Sequence, residues 1–128
     1  MLSMSLILLI TNVLSIGFGL YYLKTSKIKF RYSFFIIIFI SYLIIIAGVN
    51  IYDIYLTMNL NSFDINGDGM FTGSEVSIQQ EKALNLVVND SGRNMIYFTG
   101  LVNAILITLL VLLMHVISNY IFRFLRKV

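Results

Sequence analysis

Cysteine, proline and tryptophan are absent from this 128-residue sequence, and histidine occurs once. The lack of cysteine excludes a disulfide framework, a thiolate nucleophile and a Cys-ligated zinc site, and it leaves the redox compartment open. Charge is scarce as well. Charged residues make up 12% and hydrophobic residues 59%, with a mean hydropathy of +0.89. A typical soluble chain is about 25% charged, so an ordinary soluble domain is not expected. One histidine and no Gly-rich phosphate loop leave little from which to build an active site, and no enzyme is expected. The formal net charge of +3 raises nucleic acid as a partner, but the basic residues are split into short groups, which argues against it.

What is abundant is uninterrupted apolar sequence. Residues 1–23, 32–52 and 94–122 contain no Asp, Glu, Lys or Arg, giving stretches of 23, 21 and 29 residues. A helix needs about 20 residues to cross ~30 Å of hydrocarbon. Runs such as Ile36-Ile37-Ile38 and Ile44-Ile45-Ile46 would also suit buried strands. Their unbroken length favours spanning helices, whose backbone satisfies its own hydrogen bonds in lipid. Ser15-Ile16-Gly17 and Gly17-Phe18-Gly19 have the small-x-small spacing of a secretory cleavage site. No positive region precedes them and apolar residues continue through Leu23, so a retained helix is expected.

The charges between these stretches are segregated by sign. Lys24, Lys27, Lys29 and Arg31 fall in 24–31, and Arg123, Arg126 and Lys127 in the tail 123–128. All six acids (Asp53, Asp64, Asp68, Glu75, Glu81 and Asp90) lie in 53–93, with only Lys82 and Arg93 beside them. The positive-inside rule puts the 24–31 loop and the tail in the cytoplasm, and the N-terminus and 53–93 outside a plasma or inner membrane. The basic groups are expected to meet anionic headgroups. Tyr21, Tyr22, Phe30, Tyr32, Tyr120, Phe122 and Phe124 would belt the inner interface, and Tyr52, Tyr55, Tyr97 and Phe98 the outer one.

Within 53–93 the sequence runs Asp64-Ile65-Asn66-Gly67-Asp68-Gly69-Met70-Phe71-Thr72-Gly73-Ser74-Glu75. It fits D-x-[DN]-x-[DN]-G-x5-E without a gap. At average residue usage the five constrained positions match by chance on the order of a few times in ten thousand chains of this length. Calcium is a hard ion that takes six to eight oxygens. The alternate residues Asp64, Asn66 and Asp68 supply the first of them, and Gly69 permits the bend that brings later ligands round. The carbonyl of Met70, Thr72 directly or through a water, and both carboxylate oxygens of Glu75 complete the set. The competing reading is an Asn/Asp/Gly-rich turn with no ion.

The segment resembles the EF-hand family over about residues 56–84. Leu56, Leu60 and Phe63 stand where the family places apolar residues of the incoming helix, and Phe71 fills the apolar eighth position that pairs with a partner loop. Val76 suits the outgoing helix, whereas Gln79-Gln80 replace its usual apolar residues. No second such loop occurs in the chain, so Phe71 is expected to meet a second copy, another membrane subunit or the apolar patch 83–88. The resemblance implies bound Ca²⁺ and an affinity of roughly 10⁻⁴–10⁻³ M in an extracellular setting, which suits a structural clamp better than a fast signal.

Weaker features complete the reading. Asn12, Asn50, Asn103 and Asn119 are expected to bond between helices, as is His115 in the third stretch. Gly17, Gly19, Gly48 and Gly100 would allow close approach, although none forms GxxxG. Asn89-Asp90-Ser91 is a formal glycosylation sequon. The expected protein is an all-α membrane protein with three transmembrane helices and an extracytoplasmic EF-hand-like helix–loop–helix between helices two and three. Its expected role is that of a calcium-binding structural or accessory subunit of an envelope complex. The alternative is a small homo-oligomeric pore, since the topology resembles that of one class of phage holins.

Overall fold

Each charge-free stretch seeds a helix. In the computed structural model, which describes residues 3–89 and 91–126, α1 spans Met4–Thr25, α2 Phe30–Asn61, α3 Ile78–Val88 and α4 Ser91–Leu125. A single 3₁₀ turn covers Gly73–Glu75, and no strand occurs among the described residues. Asp90 of the sequon and Lys127 of the basic tail lie outside them. Met4–Thr25, Phe30–Asn61 and Met95–Leu125 are long and apolar enough to cross a bilayer.

The helix ends follow from local chemistry. Ser3 caps α1, its hydroxyl accepting from the Leu6 N–H at 3.3 Å. Residues 26–29 then turn the chain, with Ser26 Oγ accepting from the Ile28 N–H at 3.1 Å. Helix α2 has 32 residues, a length of ~48 Å at the usual rise, well beyond the ~30 Å of a hydrocarbon core. Its residues from Asp53 to Asn61 therefore carry the helix past the apolar stretch and hold up the acidic segment.

The buried positions run four residues apart. On α1 they are Ile7, Thr11, Ser15 and Gly19; on α2, Ser33, Ile37, Ser41, Ile45 and Val49, continued by Tyr52, Leu56 and Leu60. On α4 Ile96, Gly100, Ala104 and Thr108 form the same ladder, flanked by Ile107 and Val111. Rows at i±4 interlock between helices, and small residues in them let backbones approach closely. Three of these hydroxyls bond within their own helices, Thr11 Oγ1 donating to the Leu8 carbonyl at 3.0 Å, while the buried Ser41 Oγ has no partner among the described residues. Ser15 Oγ donates to the Thr11 carbonyl at 2.8 Å, and Thr108 Oγ1 to that of Ala104 at 2.8 Å. Ser15, Ser41 and Thr108 are wholly buried while Phe35, Phe39 and Leu113 are 60% or more exposed. That distribution would be unstable in water, where large apolar side chains are the ones driven inward, and it suits lipid.

Few polar contacts cross between helices. Asn103 Nδ2 donates to Asn12 Oδ1 at 2.9 Å, tying α4 to α1, and Tyr42 Oη donates to the Tyr97 carbonyl at 3.2 Å, tying α2 to α4. Tyr97 Oη reaches Asn50 Oδ1 at 3.5 Å. The expectation of interhelical bonds fails for Asn119 and His115, which pair with each other along α4 at 3.0 Å because four residues set them on one face. Gly17 faces outward, and a Cβ added there would meet nothing within 4 Å, unlike one at Gly19, Gly48 or Gly100. Tyr52 is buried and Tyr22 half-buried, so both turn into the bundle instead of belting an interface.

Helix α3 folds back on the upper part of α2. Its Leu86 and Val87 pack with Met4 of α1 against the cluster Ile7, Tyr52 and Leu56, and Gln80 and Ala83 are buried. One short helix thus packs on α2 at the end of the bundle where Ile7 of α1 joins the same cluster.

Candidate metal centre

The end of α2 delivers the chain into the acidic loop through two tightened turns, Phe63 N–H to the Leu60 carbonyl and Asp64 N–H to that of Asn61, both 3.1 Å. Three left-handed glycines then steer the path: Gly67 at φ 74°, Gly69 at 76° and Gly73 at 57°. A side chain at such a position costs roughly 1 kcal/mol or more, so these glycines fix where the loop can bend. The sixth position of the motif, Gly69, is the one the sequence singles out.

Around this path the predicted ligands gather in two groups. At the start of the loop, Asp64 Oδ1 accepts from the Gly67 N–H at 2.8 Å and its Oδ2 from the Gly69 N–H at 2.9 Å. Asn66 Oδ1 accepts from the Asp68 N–H at 3.0 Å, Asn66 Nδ2 donates to Asp68 Oδ2 at 3.0 Å, and Asp68 Oδ1 accepts from the Met70 N–H at 2.7 Å. At the far end, Glu75 reaches back. Its Oε1 accepts from the Ile65 and Asn66 N–H groups at 2.9 and 3.1 Å, and its Oε2 from the Thr72 N–H at 3.3 Å. The Thr72 hydroxyl accepts from the Glu75 N–H in return, completing a capping box around the 3₁₀ turn. Glu75 is buried, whereas Asn66, Asp68 and Met70 are exposed and Asp64 is half-buried.

The twelfth residue therefore closes the loop onto its second and third residues. Among the described residues no three His, Cys, Asp or Glu converge closely enough to hold a metal. The reason is local, since the carboxylates turn toward backbone N–H donors. A carboxylate oxygen has about two lone pairs. The oxygens of Asp64 and Asp68, each with one N–H or amide partner, keep one for a cation. Glu75 Oε1, with two N–H partners, does not. The donor set of hard oxygens fits calcium; two-oxygen binding by Glu75 requires that its bonds to Ile65 and Asn66 be released.

The exit from the loop departs from the expected outgoing helix. Val76 is extended and 59% exposed, and Ser77 starts α3 afresh by accepting from the Gln80 N–H at 3.1 Å. The new cap is possible because Ser77 is followed by a helix-forming run, and it re-aims α3 so that Gln80 and Ala83 face α2. Leu56 and Leu60 are buried as the incoming helix requires, with Phe63 and Phe71 half-buried.

The electrostatics at this end favour a cation, because six acids against two basic residues in 53–93 leave a formal charge of −4. Arg93, one of those two, is already engaged. It meets Asp53 at 2.9 Å and donates to the Val87 carbonyl. That pair, which joins the top of one span to the top of the next, is absent from the sequence reading. Its only signal was that Asp53 ends one charge-free stretch and Arg93 precedes another.

No protein-family model, no curated protein and no solved structure matches the chain.

Proposed function

We propose that this is a non-enzymatic membrane protein that binds one calcium ion through residues 64–75 on the outer side, as a structural or accessory subunit of an envelope complex. The ligands are Asp64, Asn66, Asp68, the Met70 carbonyl, Thr72 and Glu75. The observation that carries the reading is the closure of Glu75 onto Ile65 and Asn66, which brings the last residue of the motif back to its second and third. A bound ion would supply the positive charge that lets these oxygens converge without repulsion.

The position of the loop gives the site its consequence. The loop continues α2 directly, and the helix that leaves it packs on α2, against a cluster that Ile7 of α1 joins. Tightening the loop would therefore fix α3 over the outer ends of the first two spans. Three carboxylates at an extracellular affinity of roughly 10⁻⁴–10⁻³ M suit a site filled most of the time. Phe71 motivates a homo-oligomer or another membrane subunit, because Leu86 and Val87 of the apolar patch are turned to Ile7, Tyr52 and Leu56. The pore alternative draws on no comparable observation, since the Asn12–Asn103 pair lies between α1 and α4 and the outward faces carry Leu, Ile and Phe.

Calorimetric titration of the detergent-solubilised protein tests the reading, with Glu75→Gln as control. One site of millimolar or tighter affinity is expected, lost in the variant. An absence of heat up to several millimolar calcium would leave the motif as a turn.

A further inference from the structure

The opposite end of the bundle is uneven. Gly19 of α1 lies against Val111 of α4, from which α1 runs on only to Thr25 while α4 reaches Leu125. Helix α4 thus overhangs by about eight residues, or ~12 Å. In the angle between the two helices is a cavity of about 420 Å³ lined by Leu20, Lys24, His115, Ser118, Asn119 and Phe122. One part of its lining is apolar, Leu20 and Phe122. The remainder carries an ammonium, a hydroxyl and the Asn119–His115 pair, whose ring and amide nitrogens are 3.0 Å apart. Polar groups at this depth are costly unless they meet partners.

The charge around the cavity has no counterpart among the described residues at this end. Every acid lies in 53–93, at the far end, and the ion pair among the described residues is Arg93 with Asp53. Lys24, Lys27, Lys29, Arg31, Arg123 and Arg126 collect at this end, where the described residues include no Asp or Glu. Anions from outside the protein can serve as their counter-ions. A phosphate anion with an attached hydrocarbon tail matches both the charge and the two-sided lining.

We propose that this cavity binds one anionic phospholipid. Lys24 neutralises the phosphate, Ser118 and Asn119 donate hydrogen bonds to it, and an acyl chain lies along Leu20 and Phe122. Lys24 is set apart from the other lysines by its place in the last turn of α1, where it lines the cavity; Lys27 and Lys29 stand in the turn beyond. The site is independent of the calcium loop, from which it is separated by the length of the bundle.

Native mass spectrometry of the full chain, released from detergent with phosphatidylglycerol or phosphatidylcholine, tests this. One phosphatidylglycerol per chain should be retained, and phosphatidylcholine should not. Lys24→Gln and Asn119→Ala should each weaken retention about fivefold, Lys24→Arg should restore it, and Lys27→Gln, with the same net charge as Lys24→Gln, should leave it unchanged. Equal losses in Lys24→Gln and Lys27→Gln would reduce the effect to general surface attraction and overturn the site. Equal retention of the two lipids would do the same. Displacement of the lipid by millimolar glycerol phosphate would assign the cavity to a soluble phosphate compound and overturn the lipid assignment.

Discussion

Arg93 Nη1 and Asp53 Oδ1 lie 2.9 Å apart, joining the residue that follows one charge-free stretch to the residue that precedes the next. The arginine side chain is 10% exposed and the aspartate 53% exposed, so the two partners do not contribute equally. Arg93 also holds the last turn of α3 through the Val87 carbonyl. Replacing it with alanine should cost about 2–3 kcal/mol of stability, and Asp53→Asn, which keeps an oxygen acceptor at a half-exposed position but removes the charge facing the buried guanidinium, about 1–2 kcal/mol. Reversible unfolding in mixed micelles, run as a double-mutant cycle, measures both; additive losses would show that the pair is not coupled.

Glycine at position 48 is required by Thr11. A Cβ built on Gly48 would overlap Thr11 Cγ2, and one on Gly19 would come within 2.9 Å of Val111 Cγ1. Gly48→Ala and Gly19→Ala should each destabilise by about 1–3 kcal/mol through overpacking. Gly17→Ala, with no atom within 4 Å, should be neutral or stabilising by up to about 1 kcal/mol through helix propensity. Thr11→Ser removes the methyl that Gly48→Ala would strike, and the double variant should recover most of the loss in melting temperature.

The Asn12–Asn103 bond is the part-buried polar link between α1 and α4. Bonds of this kind in membranes are worth about 0.6 kcal/mol and at most about 1.7 kcal/mol. Asn103→Ala should therefore shift unfolding only slightly, and less than Gly48→Ala. A larger loss in Asn103→Ala than in Gly48→Ala would mean that polar pairing, and not small-residue packing, holds these helices together.

Glu75 accepts three backbone N–H bonds, which are independent of any ion. Glu75→Ala should then destabilise the loop in chelator as well, by about 1–3 kcal/mol, while Glu75→Gln, which keeps a carbonyl oxygen, should cost less. Hydrogen exchange reports this directly: faster exchange at the Ile65, Asn66 and Thr72 amides is expected in the alanine variant, and in the glutamine one near-native exchange at Ile65 and Asn66 with faster exchange at Thr72, whose N–H loses the Oε2 acceptor.

Ser77 restarts the chain as α3 after the 3₁₀ turn. Ser77→Ala should cost about 1 kcal/mol as a lost N-cap, seen as faster amide exchange through α3. No change in exchange there would mean that packing of Ala83, Leu86 and Val87 alone holds the helix.

Much of this architecture was legible from the sequence. The absence of charge over 1–23, 32–52 and 94–122 is a one-dimensional property, and the thickness of hydrocarbon converts it directly into three helices. The loop's path was legible for the same kind of reason. Asp64, Asn66, Asp68 and Gly69 act on backbone groups within five residues, so adjacency along the chain settles much of what they meet. The ladders Thr11-Ser15-Gly19 and Gly100-Ala104-Thr108 were also present in the sequence at a spacing of four, but hydroxyl residues hide that pattern from a search for glycine alone.

Contacts across longer separations depended on the packed structure. Asn12 met Asn103 whereas Asn119 met His115, and nothing in the composition separates these asparagines; the rotation of each helix about its axis does. The same holds for Asp53 and Arg93, whose meeting depends on α3 being just long enough to return the chain to the level it left. The sequence by itself determined how many spans there are and where the charges lie, because lipid selects on length and polarity. Which faces touch was decided only in the tertiary structure, because in lipid apolar surfaces are nearly equivalent and the choice falls to shape, to the small residues that let one backbone approach another.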